Sequence, residues 1–377
     1  MFEAFLANAF FTIGQVLFEI PTGIVADRYG RRLSYLLGAG TLALATLLYL
    51  WMWQIHAPFY LWAFASLMIG LGFTFFSGAN EAWLVDALTD AGFFSEGESL
   101  DAVFGRGQMI AGFAMLAGSV AGGYIAQATN LGVPYILRAG LLLANFVLAY
   151  FLMFDAGFTK PAKSGLLVSA AGLLKTSIDL GLRDRKLRWM MLTSPFMNGV
   201  MLYAMYAMQP YLLSLYKDPK AYGIAGLAAA IAAGAQIIGG FSVKYIARDA
   251  SKSTLIIFVS VLAGSVLLVS MGFVNHFHSV LVLLTGWSLM ISITTPMRLS
   301  YLNQRIDSSQ RATLLSLDSV LGSAGSAIAQ PAFGKIADVY GYPMSYVCSG
   351  LLQAGALPFI YLASRTQKLD KKSELTS

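Results

Sequence analysis

The stretch Gly23-Ile24-Val25-Ala26-Asp27-Arg28-Tyr29-Gly30-Arg31-Arg32 decides how this chain folds. An apolar run reaches it from Met1 and another leaves it at Leu33. Four charges and two glycines therefore lie in a tight turn between two segments of membrane length. Gly23 and Gly30 suit close backbone approach and a turn with positive φ. Three arginines in so short a connection mark the cytoplasmic side, where basic loops accumulate. Acids contribute little to orientation, so Asp27, set directly before the arginines, points to a fixed partner.

Working outward, the chain of 377 residues is 57% hydrophobic and 12% charged, a balance foreign to soluble domains of this length. About 20 apolar residues cross ~30 Å of hydrocarbon. On that measure eleven spans are expected, near 3–25, 33–53, 58–86, 104–127, 134–154, 188–215, 221–246, 253–274, 279–300, 311–338 and 344–364. All should be α-helices, because lipid leaves open backbone groups unsatisfied. The first segment carries Glu3, lacks a basic start and is too long for a signal peptide.

Of the 25 Lys and Arg residues, 21 fall in alternate loops and the C-terminal tail, which puts the N-terminus outside and the C-terminus in the cytoplasm. The net charge of +6 then belongs to membrane-facing loops, and no nucleic-acid partner is expected. Cys348 is the single cysteine, and His56, His276 and His278 stand in short turns. That leaves no disulfide framework and no metal-ligand spacing, so neither a metal nor a cofactor is expected. No nucleophile–base constellation or phosphate loop argues for an enzyme.

In this setting the opening stretch resembles the loop signature of the major facilitator superfamily, Gly-x-Leu-Ala-Asp-Arg-x-Gly-Arg-Lys/Arg, which joins that family's second and third helices. Gly23, Ala26, Asp27, Arg28, Gly30, Arg31 and Arg32 match it, and Val25 stands for the leucine. The resemblance implies an all-α transporter of two pseudo-symmetric helical bundles. It also implies that this chain begins at the family's second helix and carries eleven of twelve helices, lacking the first. The bundles would be residues 1–154, with five spans, and 188–364, with six. A cytoplasmic linker over 155–187 and a tail over 365–377 complete the plan. Apolar residues recur in the linker at three- and four-residue steps among basic ones, which reads as an amphipathic helix on the membrane face or a linker helix packed on the bundle. Gly123-Tyr-Ile125-Ala126 and Gly334-Lys-Ile336-Ala337 form a faint internal echo that suits parallel repeats.

Charges within spans are the most informative residues, since each needs a partner or water. Glu19 lies eight residues before Asp27, about 12 Å deeper at helical rise. Glu81, on the third span, lies a turn and a half deeper than Asp86. Both glutamates are proton-coupling candidates, with a structural acid bonded to a neighbouring helix as the other reading of Glu19. In the family the helix matching the third span lines the central cavity, and many drug exporters place an arginine there ahead of paired glycines. Ser66 holds that place before Gly70 and Gly72. Gly118-Ser119-Val-Ala-Gly122-Gly123 resembles an antiporter element with Ser119 in place of proline, and equally reads as small residues for helix packing.

Met197, Met201, Met205 and Met208 form a helical stripe on the sixth span, with Asn198, Tyr206 and Gln209 beside it. Methionine surfaces re-pack around varied apolar ligands. Such a stripe also serves as core or lipid-facing surface. The resemblance makes this helix a cavity wall, which names Met197, Asn198, Met201, Met205 and Gln209 as substrate-cavity candidates. Gln209-Pro210 marks a discontinuity. It further implies a cytoplasmic gate that pairs Arg31 with Asp86 and sets Asp27 against the start of the tenth span near Arg311. The expected function is proton-coupled export of small amphipathic or apolar compounds by alternating access, by a monomer in the plasma membrane. Proton-coupled uptake of a nutrient or metabolite is the alternative, and a membrane sensor or enzyme stands behind both.

Overall fold

The computed structural model describes residues 1–77, 79–93, 100–155, 185–216, 218, 220–246, 253–303, 305–306 and 311–374. These residues are almost entirely helical: α1 Phe2–Tyr29, α2 Arg31–Gln54, α3 Phe59–Phe76, α4 Ala79–Asp90, α5 Leu100–Ala128, α6 Gly132–Leu152, α7 Arg185–Met191, α8 Ser194–Tyr216, α9 Tyr222–Ile246, α10 Ser253–Met271, α11 Phe277–Asn303, α12 Arg311–Ala354 and α13 Leu357–Glu374. Among them, nine helical stretches are long and apolar enough to cross a membrane; one, Leu317–Thr366, has 50 residues and room for two crossings.

The chain divides into two compact units. One takes Met1–Phe5, Leu116–Gly123 and Ala171–Ser377, and the other takes Leu6–Met115 and Tyr124–Ala170. The linker expected over 155–187 lies mostly outside the described residues.

Three expected spans are broken. The 58–86 segment parts at Ser77 into α3 and α4. The Thr74 and Phe75 carbonyls accept instead from the hydroxyls of Thr22, at 3.1 Å, and Ser34, at 2.8 Å. Side chains of α1 and α2 thus satisfy what the interrupted ladder leaves open. The 188–215 segment parts at Leu192–Thr193 into α7 and α8. Pro195, in the first turn of α8, has no N–H to give a preceding helix and suits a new start. The 344–364 segment turns at Gly355–Ala356 before α13, which Pro358 opens and which runs on to Glu374. The boundary between the last two spans falls at Gly341, whose φ of 82° interrupts α12.

Small residues bring the helices of the Leu6–Met115 unit together. A Cβ on Gly72 would lie 2.7 Å from Leu42, and one on Gly70 would strike the backbone of α1. The larger unit is packed by bulkier side chains: Tyr203, Tyr211, Trp287 and Tyr346 are all buried. Their polar atoms are spent internally, as when the Trp287 Nε1 donates to Gln353 Oε1 at 3.0 Å. In the 116–123 segment of α5, Ser119 and Gly123 sit against Gly226 of α9, while Gly118 and Gly122 face open space. Ser119 and Gly123 therefore serve close helix packing.

Candidate functional site

The turn between α1 and α2 rests on Gly30, whose φ of 107° and ψ of 154° favour glycine. Gly23 differs from its reading in the sequence: it is helical, and a Cβ there would meet nothing within 4 Å. Gly30 is the N-cap of α2 and has no side chain to cap with. Asp155, past the end of α6, supplies the acceptor: its Oδ1 takes the Arg32 N–H at 2.8 Å. A carboxylate at this helix start also complements the dipole. The Arg32 guanidinium donates to the Tyr150 carbonyl and lies 5.2 Å from the Tyr150 ring centroid. Sequence reasoning missed Asp155, 123 residues from its partner. Removing it as Asp155→Ala should lower stability by ~1 kcal/mol, the usual worth of an N-cap. Thermal unfolding checks this, with Asp155→Asn expected to retain part of the loss.

Within the turn, Arg31 Nη1 donates to Asp27 Oδ1 at 2.7 Å, four residues away across Gly30. The gate derived by resemblance pairs Arg31 with Asp86 instead, and the structure gives Asp27 as a partner of Arg31. Arg28 lies over the Tyr29 ring. Asp86 is half-buried on α4, which is tied to the end of α6 by Trp83 Nε1 donating to the Phe154 carbonyl at 2.7 Å. The side chain of Arg311 lies outside the described residues.

Glu19 stands at the break between α3 and α4. Its Oε1 accepts from the Ser77 hydroxyl at 2.8 Å, and the side chain is exposed. The carboxylate thus reaches an interrupted helix, an arrangement that serves ion sites in transporters. Glu81 belongs to α4, and its side chain lies outside those described. Ser66 is buried and shares a hydrogen bond with the Tyr49 hydroxyl. Its place is a packed hydroxyl pair.

The methionine stripe splits. Met197, 5% exposed, and Met208, 2% exposed, turn into the core, which removes Met197 from the open face. Met201 and Met205 are half-buried, and Asn198, Tyr206 and Gln209 are exposed. The Sδ of Met205 accepts from Gln236 Nε2 at 3.6 Å. Positions 198, 205 and 209 follow one side of α8, so uncharged polar groups and thioethers share a face. The helix continues through Pro210, and the discontinuity expected at Gln209-Pro210 does not interrupt it.

One constellation escaped the sequence altogether. Arg298 counts there as a loop charge, yet it is 12% exposed and paired with Asp318, 13% exposed. No group of three or more metal-binding side chains occurs among the described residues.

Apolar helices of membrane length, interrupted at Ser77 and Thr193, with a largely buried ion pair at one break and an exposed carboxylate at the other, mark a multi-pass membrane protein. A profile of the Major Facilitator Superfamily matches residues 3–329, and the chain belongs to that family. Among solved structures it is similar to a single-substitution variant of the nucleoside transporter NupG, with a TM-score of 0.74 and 11% identity over 96% of this chain and 90% of that one. It is also similar to a variant of the fucose:proton symporter FucP of E. coli, with a TM-score of 0.54 and 19% identity over 96% and 91%. At these identities the likeness is one of fold. No curated protein matches the chain significantly.

Proposed function

We propose that this chain is a proton-coupled secondary transporter that exports small, uncharged, amphipathic molecules by alternating access. The observation that carries the cargo class is the open face of α8, where Asn198, Tyr206 and Gln209 alternate with Met201 and Met205 and bring no charge. Such a face offers hydrogen bonds to a polar end and soft, adaptable surface to an apolar one. The helices of residues 1–154 and 188–364 act as the two rocking bundles, the working unit is a monomer, and the site is the plasma membrane with the C-terminus in the cytoplasm.

Glu19 and Glu81 carry the protons. A carboxylate in a span is costly unless it binds a partner or faces water, and such groups mark proton relays. Purified protein in liposomes, given an inward-acid or outward-acid gradient, should move the uncharged dye N-phenylnaphthylamine against its concentration. Glu81→Gln should abolish accumulation while leaving counterflow, and Glu19→Gln should lower accumulation several-fold. If both variants accumulate dye like the parent, these acids do not couple transport.

Uptake by symport is the second reading. It is favoured by Ser66, a buried hydroxyl where drug exporters hold an arginine, and by the printed name of FucP, a proton symporter. Accumulation of radiolabelled uridine or fucose with protons, and no dye movement, would select it.

A further inference from the structure

We infer that Arg298 and Asp318 are positioning residues for transport: their ion pair clamps the α7–α8 break onto α11 and α12 and so sets the register of α8. The consequence for cargo rests on the reading of the α8 face given above.

At the break between α7 and α8 the Met190 carbonyl accepts from the Thr193 N–H at 3.2 Å and from the Thr193 hydroxyl at 2.6 Å. Arg298, near the end of α11, joins this group. Its Nη2 donates to the Met190 carbonyl at 3.2 Å and its Nε to the Thr193 hydroxyl at 2.9 Å. The remaining donors go to Asp318 of α12, with Nη1 to Oδ2 at 3.0 Å and Nη2 to Oδ1, and Nη2 also reaches Ser194. Ser194, the first residue of α8, donates to Asp318 Oδ1 at 2.6 Å. One guanidinium and one carboxylate thus join four helices.

What lies beyond the clamp explains why it is needed. One turn along, the Asn198 amide fills the space where a Cβ of Gly322 would stand. Gly325 lies against the backbone of Pro195, and a Cβ on Gly199 would be 2.8 Å from the Ala329 Cβ. At this end the seam between α8 and α12 is glycine and alanine, and the side-chain interlock begins farther along, where Tyr203 meets Phe333 and Tyr346 and Tyr211 meets Tyr342 and Tyr346. The largely buried pair is directional and pins the seam at its end. Asn198, one turn from Ser194, inherits that register.

An independent pattern in the chain agrees. Asp86 and Arg106 are twenty residues apart, as are Arg298 and Asp318. Asp86 lies near the end of α4 and Arg106 near the start of α5, the places Arg298 and Asp318 hold on α11 and α12. The signs are reversed. An acid and an arginine twenty residues apart, on two successive helices, thus occur in each half of the sequence.

The test uses the full chain with Cys348→Ser and spin labels at Tyr216→Cys and Ile328→Cys, both exposed positions on α8 and α12. To this are added Arg298→Gln, Asp318→Asn, the neutral double Arg298→Gln/Asp318→Asn, and the exchange Arg298→Asp/Asp318→Arg. Each single change leaves a largely buried charge without its ion-pair partner and should cut folded yield. The neutral double should fold like the parent. Its label–label distribution should nevertheless broaden, and its KM for N-phenylnaphthylamine should rise at least tenfold, with the exchange restoring both in part. A neutral double whose distance distribution equals the parent's overturns the clamp, because a merely structural pair predicts that result. A broadened distribution in a protein that moves no dye upholds the clamp and sinks the cargo reading instead.

Discussion

Gly30→Val should lose folded protein several-fold and abolish transport. The backbone at this position, with φ 107° and ψ 154°, lies in a region used almost only by glycine, and forcing another residue there costs on the order of 1–3 kcal/mol. A side chain would also drive into the Asp155 carboxylate and displace the cap of α2. Gly23→Ala is the matched control, since it fills open space in a helix interior. That exchange should leave folding intact or raise the melting temperature, alanine being favoured over glycine by about 1 kcal/mol within a helix. Detergent-solubilised yield and thermal unfolding measure both. Normal folding of Gly30→Val would contradict the geometry of the turn.

Asp27→Asn and Arg31→Ala should each reduce transport at least a hundredfold with little loss of folded protein. The two side chains form an ion pair across the α1–α2 turn, with relative exposures of 44% for Asp27 and 21% for Arg31. Exposed pairs contribute ~0.2–1 kcal/mol, too little to unfold the chain. A large loss of transport with intact melting behaviour would therefore support the gate that the resemblance implies, in which Arg31 would pair with Asp86 as the cytoplasmic side closes. Transport at parental rates by both variants would end the gate proposal. A drop in transport matched by an equal drop in folded yield would assign the pair to stability instead.

The sequence was sufficient for the class of protein because class depends on composition and periodicity. Apolar runs of about 20 residues, separated by basic loops, leave helices crossing a bilayer as the structure that satisfies the backbone. The turn at Gly30 was legible for a local reason: a glycine among charged residues that separate two apolar runs. Thr193-Ser194-Pro195 has the residues of a helix start, but the apolar run through it led to one uninterrupted span over 188–215.

Tertiary structure alone decided the partners. Asp155 reaches Arg32 from 123 residues away, and no local pattern announces such a cap. Met197 and Met208 lie on the same stripe as Met201 and Met205 by spacing, yet neighbouring helices enclose the first two and leave the others half-open. Arg298 carries the signature of a loop charge until Thr193, Met190 and Asp318 are seen around it. Periodicity reports which face of a helix a residue occupies. Which helix meets that face depends on how the chain folds back on itself, and there the free energy of each buried charge is set.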